Sequence, residues 1–334
     1  MLKGEGGKQT NFKESVLMLI KRNLSVCLLA ITFVVFLMLL ISFLPQAFTR
    51  GQTYTAIVRQ VGFLGCVALG LTLLVAAGEI DLSTGSVLLF SSYLFAVVFK
   101  SGGNPWLAML IALSTGAALG FLNGIITTRF KLPSLLVTLG AMFVWRGAAL
   151  VLSKGYTIHV REIRNTLFYS VFGGDVFGVP VQFIWSLIFF TIFYLILNYH
   201  KFGNWITCTG DNLEAARNMG IPVDRTKIIC FTLVGLVSAF SGIMQVAYTS
   251  VFTSFMGGGE TYLFPILTAV FMGGTPITGG AGSLTGTFIS TFILSFLASG
   301  LISLGITGFA TRIAYGSILI AILILNARAL KRKF

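Results

Sequence analysis

Charge is what this chain has least of. Only 10% of its 334 residues are Asp, Glu, Lys or Arg, where a soluble domain carries about 25%. Hydrophobic residues make up 56%, so water cannot solvate the folded surface, and a polytopic membrane protein is the class that remains. Histidine is nearly absent. His159 and His200 lie far apart, which argues against a metal centre or imidazole acid-base chemistry. The four cysteines have no C-x-x-C pairing; Cys27, Cys66 and Cys230 read as small buried hydrophobes and Cys208 as a loop thiol. There is no G-x-x-x-x-G-K-[ST] phosphate loop, no nucleophile elbow and no G-x-G-x-x-G after a strand. No motif therefore argues for an enzyme, and no cofactor is expected on this chain. The net charge of +13 would suit nucleic acid, but no basic helix is interleaved with aromatics, and the Lys and Arg residues gather at the ends of apolar runs. Membrane topology explains them better, and no nucleic-acid partner is expected.

What is present is a series of apolar runs. Residues 1–23 form a basic tail with a candidate interfacial helix over Phe12–Ile20. Leu24–Leu44 is too long for a signal-peptide core and reads as the first span. Further spans follow at Val61–Gly78, Leu82–Phe99, Asn104–Thr128, Pro133–Ser153, Val181–Asn198 and Ile228–Tyr248. The uncharged stretch Thr261–Thr311 is too long for one span, and its glycines divide it into Leu263–Met272 and Ser283–Ser303; Phe309–Asn326 is the tenth. Within the fourth span Gly116, Gly120 and Gly124 recur every four residues, a stripe suited to close backbone packing. In the fifth, Arg146 reads as a snorkelling anchor. The connection Lys154–Pro180 is long enough for a small external element.

Ten spans place both ends of 24–327 on one side, and charge tests that topology. Inside connections would hold Lys3, Lys8, Lys13, Lys21 and Arg22, then Arg129 and Lys131, then Lys201, Arg217, Arg225 and Lys227, then the 328–334 tail with Arg328, Lys331, Arg332 and Lys333. Outside connections hold only Arg50, Arg59, Lys100, Lys154, Arg161 and Arg164. The bias predicts cytoplasmic termini and a cytoplasmic 199–227 loop.

That loop carries the first candidate site. Asp211 can cap a helix, with Glu214 three residues on in the manner of a capping box; Gly220 suits the position after the helix and Pro222 forbids continuation. The helix so bounded, Asn212–Met219, is about 12 Å long. Leu213, Ala215, Ala216 and Met219 can seat in a partner's groove, with Glu214 and Arg217 at the edge. Spacing alone equally allows an ordinary capped loop helix.

Two other stretches break the rule that membrane backbone satisfies itself, GEIDLSTGS at 78–86 and GGTPITGGAGS at 273–283. Such backbone is tolerated where protein or water covers it, so both are expected to line a cavity or pathway. The candidates are Glu79, Asp81, Ser83, Gly85 and Ser86 in the first, and Gly273, Gly274, Thr275, Gly279 and Gly280 in the second. Capping of the third span by Asp81 and Ser83 is the competing reading, and Glu260 reads as a solvated outer charge.

Four segments in order, GEIDLSTGSV at 78–87, LPSLLVTLGAMFVWRG at 132–147, GDNLEAARNMGIPVDRTKI at 210–228 and FMGGTPITGGAGSLTGT at 271–287, resemble the permease subunits of bacterial ABC importers for simple sugars, the ribose permease family. The resemblance covers nearly the whole chain. It departs at Glu79, where the family shows Gly-Gly-Ile-Asp-Leu-Ser, and at Asp211, where it shows Gly-Gly-Asn. It implies an all-α type II importer permease with about ten spans in the bacterial inner membrane. Its implied partners are a second permease chain, identical or homologous, two cytoplasmic ATPase subunits that hold ATP and Mg, and an external substrate-binding protein. Asn212–Met219 would then be the coupling helix, and the two breaks would open alternately to each side. A proton-coupled carrier working through Glu79 and Asp81, or an importer of nucleosides or branched-chain amino acids, are the alternatives.

Overall fold

In a computed structural model describing residues 24–256, 260–306 and 309–331, the chain is a bundle of helices with two short antiparallel strand pairs. The basic N-terminal tail and its candidate helix lie outside the described residues, as do 332–334. Six helices are long and apolar enough to cross a membrane, and four shorter apolar ones complete ten. In chain order the elements are α1 (Leu24–Phe43), α2 (Pro45–Phe48), α3 (Gly51–Ala76), α4 (Thr84–Lys100), α5 (Pro105–Arg129) and α6 (Ser134–Ser153). Next come β1 (Ile158–His159), α7 (Leu167–Phe172), β2 (Asp175–Val176), β3 (Val179–Pro180) and α8 (Val181–Tyr199). Then follow α9 (Lys201–Asp211), α10 (Leu213–Asn218), α11 (Val223–Thr249), β4 (Val251–Phe252), α12 (Glu260–Met272), α13 (Leu284–Ser303) and α14 (Phe309–Lys331).

The second span is longer than its uncharged run. It begins at Gly51 instead of Val61, so Arg59, expected in an outer loop, sits about two turns inside α3. There it donates to Tyr248 Oη (2.9 Å) and Asp175 Oδ1 (2.5 Å), its guanidinium 4.1 Å from the Tyr248 ring centroid. A cation can lie within an apolar helix when a carboxylate and an aromatic face meet it. α3 is the central helix, with 83% of its apolar window buried, against 11% for α6, whose apolar side chains face outward.

α5 and α11 pack through backbone. A Cβ at Gly120 would lie 2.2 Å from Phe231 O, one at Gly116 2.6 Å from Gly235 O, and one at Gly124 2.9 Å from Ile228 Cα. The glycine stripe is thus a helix-packing surface, as small-residue stripes in lipid are. Gly120→Leu is expected to push α5 off α11 and lower the thermal midpoint of the detergent-solubilised protein by several degrees or more, since overpacking costs about 1–3 kcal/mol. An unchanged midpoint would remove the stripe from the packing account.

The connections 77–83, 130–133, 200–222 and 273–283 meet at one end of the bundle, the lower end below. The upper end holds the expected small element: β1 pairs antiparallel with β4, β2 with β3, and α7 seats Phe168 and Phe172 in the core. Lys100 donates to Glu162 there (2.9 Å) and holds that carboxyl below its usual range. Cys66 and Cys230 are buried, as expected, whereas Cys208 lies on the α9 helix and not in a loop.

Candidate functional site: the breaks and the capped helix

α9 occupies what reads in sequence as polar loop. Phe202, Ile206 and Thr209 are buried on one face at helical spacing, and His200 Nδ1 accepts from Phe202 N (3.2 Å) at its start. This helix runs through Asp211 and so corrects the capping assignment: Asp211 closes α9 and caps nothing. The cap is Asn212, extended at φ −150°, whose Oδ1 accepts from Ala215 N (3.0 Å). A residue already in helical conformation cannot serve as an N-cap, which explains the shift by one. The short helix ends as expected, with Gly220 at φ +77° and Ile221 N donating to Ala216 O (3.0 Å). Ala216 is fully buried, while Glu214, Ala215, Arg217 and Met219 face outward. Arg217 pairs with Asp224 at the start of α11 (2.9 Å).

The two breaks, far apart in sequence, touch each other and the approach to this helix. A Cβ at Gly279 would lie 2.8 Å from Gly78 N and 3.0 Å from Gly210 Cα, and one at Gly210 would lie 2.0 Å from Ala76 O. Gly280 N donates to Ala76 O (3.0 Å), satisfying a carbonyl that the end of α3 leaves unpaired. Gly78, Gly279 and Gly280 all have φ near +84°, which only glycine adopts without strain. Three backbone segments therefore meet at Gly78, Gly210 and Gly279–Gly280 with no side chain between them, two residues before Asn212.

Neighbouring hydroxyls complete the first break. Ile80 N donates to Ser134 Oγ (3.2 Å) and Leu82 N to Thr138 Oγ1 (3.1 Å), so the start of α6 supplies the acceptors that a helix would have provided. Asp81, 1% exposed, accepts from Ser83 N (2.7 Å) and Ser83 Oγ (2.6 Å), and Asn123 Nδ2 donates to Ser83 Oγ (2.9 Å). Both of its contacts fall on Ser83, the residue before α4, whose helical backbone and lack of a side-chain bond to the first turn mean that neither residue caps that helix. Gly85 and Ser86 are buried in the first turn of α4, and the Ser86 hydroxyl has no partner among the described residues. In the second break Gly273 abuts Gly286 and Thr287, Gly274 is exposed, and Thr275 Oγ1 accepts from Ser283 N (3.2 Å).

Glu79 takes a different partner. Its carboxylate meets Lys227 Nζ of α11, both side chains nearly enclosed at 10% and 13% exposure. Together they line a cleft of ≈ 400 Å³ at the lower end, walled by α10, the α5–α6 turn and the start of α11. Sequence reasoning did not single out Lys227, Gly210, Ser134, Thr138 or Asn123. Only Ser134 and Thr138 carried a local signal, two hydroxyls one helical turn apart beside a proline. Glu260 begins α12.

The family described as "Branched-chain amino acid transport system / permease component" matches residues 53–327. The chain is 32% identical over 296 residues to the xylose/arabinose import permease of Sulfolobus acidocaldarius, covering 86% of this chain and 81% of that one. Identity is also 32% over 293 residues to the ribose import permease of Bacillus subtilis, covering 87% and 90%. The autoinducer 2 import system permease of Escherichia coli is 32% identical over 273 residues, covering 81% and 82%.

Proposed function

Because the chain belongs to the permease family of branched-chain transport systems, we propose that it is the membrane-spanning subunit of an ATP-driven importer whose cargo is a simple sugar or sugar-like solute. The sugar assignment is supported by the ribose and xylose/arabinose permeases at 32% identity over most of both chains. The chain is a multi-pass transport component, and hydrolysis belongs to a separate pair of cytoplasmic ATPase subunits that hold ATP and Mg. A second permease chain and an external binding protein complete the assembly. A cytoplasmic lower end is supported by the Lys and Arg of the two terminal segments, which a ten-span topology puts on the same side as its connections.

The observation that carries this reading is α10 itself: a capped helix exposed on one side and anchored by Ala216 on the other, whose cap lies two residues beyond the contact of both breaks at Gly210. An ATPase that grips its outer face and moves it displaces Gly210, and with it the backbone at Gly78 and Gly279. Binding energy on the partner is thereby converted into a change at the broken spans, the differential contact that any coupled transition needs. Deleting Glu214–Arg217 is expected to abolish ATP-driven uptake in membrane vesicles and to release the ATPase on purification. Retention of both would refute the assignment.

A further inference from the structure

The charges that line the lower-end cleft do not balance. Arg217 is met by Asp224 and Lys227 by Glu79, whereas Lys131 forms no ion pair among the described residues. Deeper in the same lining, the Thr127 hydroxyl is buried with no hydrogen-bond partner, and the residue is 4% exposed. A buried hydroxyl left unpaired is costly, so such groups normally mark a missing partner. Lys131 is held in the left-handed region at φ +52°, a conformation a lysine does not prefer, where Leu132 N donates to Thr127 O (3.2 Å) and closes the turn. One wall of the cleft is this turn, and the other is Leu213 and Arg217 of the coupling helix.

We propose that the cleft is a second docking point for the ATPase, receiving a carboxylate side chain from it. Lys131 is the counter-ion and Thr127 the hydrogen-bond donor at the base. The inference rests on the coupling reading: a subunit seated on the outer face of α10 stands over the mouth of a cleft that α10 itself walls. Two attachment points, one on each side of the cleft, would transmit a rotation that a single helix could only follow as a pivot.

The test is made on the full chain, purified from its own membranes with the ATPase bound. Lys131→Glu is expected to lower the retained ATPase about tenfold or more, Lys131→Arg to keep it, and Thr127→Val to lower it by a smaller factor. Lys131 is exposed, so the thermal midpoint of the permease alone should not move in its variants. Wild-type retention in Lys131→Glu would overturn the proposal. So would loss of co-purifying anionic lipid in that variant with the ATPase undiminished, since the cleft would then be reading a lipid headgroup. The Glu214–Arg217 deletion separates the two levels. If it leaves the ATPase bound, the coupling reading itself fails; if it releases the ATPase and Lys131→Glu does not, only the second contact fails.

Discussion

Gly210→Ala is expected to lower ATP-driven uptake on the order of tenfold or more, although alanine adds a single methyl group. The new Cβ would stand 2.0 Å from Ala76 O and 2.5 Å from Gly280 N. Both neighbours are backbone, so no side chain can rotate away. Either α9 retreats from the end of α3, which breaks the contact between the coupling approach and the two breaks, or Gly280 N gives up its bond to Ala76 O. Overpacking of this kind costs about 1–3 kcal/mol, enough to lower the thermal midpoint as well. Two further glycine variants separate lost coupling from lost stability. At Gly140 nothing lies within 4 Å, so Gly140→Ala in the interior of α6 should be neutral or slightly stabilising in isolation. At Gly220 space is likewise open but φ is +77°, so Gly220→Ala carries conformational strain alone, about 1 kcal/mol. If Gly210→Ala and Gly220→Ala lose stability equally yet only the first loses uptake, the contact is the working part. Wild-type uptake in Gly210→Ala would show that the breaks move without it.

Why some of this was legible in the sequence follows from range. The spans are written in runs of apolar residues, and seven of ten start and stop within three residues of where composition ends. The exceptions are α11, which begins at Val223 and takes in Asp224, Arg225 and Lys227, α14, which runs on to Lys331, and above all α3, whose first turns carry Gln52, Thr53, Thr55 and Arg59. No local rule says that Asp175 and Tyr248, remote in the chain, will neutralise that arginine inside the bundle. α9 was hidden for a related reason: its apolar face is three residues wide, Phe202, Ile206 and Thr209, and two glycines within it imitate a loop. Those glycines are there for contact. A Cβ at Gly203 would lie 2.2 Å from Leu197 O, where the chain doubles back from α8. Each break announced itself through its own glycines. That the two breaks share one contact with Gly210 could not be read locally, because every partner lies more than a hundred residues from at least one other.

Lys227→Met is expected to destabilise the protein by about 3–5 kcal/mol, while Glu79→Gln combined with Lys227→Met should recover most of that loss. Both members of the pair are close to fully covered, at 13% and 10% exposure, so removing the ammonium leaves a carboxylate that water reaches only from the cleft and that pairs with no other cation among the described residues. Removing both leaves two groups of similar shape and no charge to solvate. The single variants should also be unequal. Lys227 has a long apolar stem and lies at the wall of the ≈ 400 Å³ cleft, so in Glu79→Gln its ammonium can swing outward and regain water. Glu79 has no comparable reach, which makes Glu79→Gln the milder change. Thermal unfolding of the four proteins in detergent gives the interaction energy directly. The pair also joins the first break to the helix that follows α10, two parts that must shift relative to each other if uptake is driven from the lower end. A double variant that is stable but hydrolyses ATP without transporting would place the ion pair in coupling, and one that transports normally would confine it to folding.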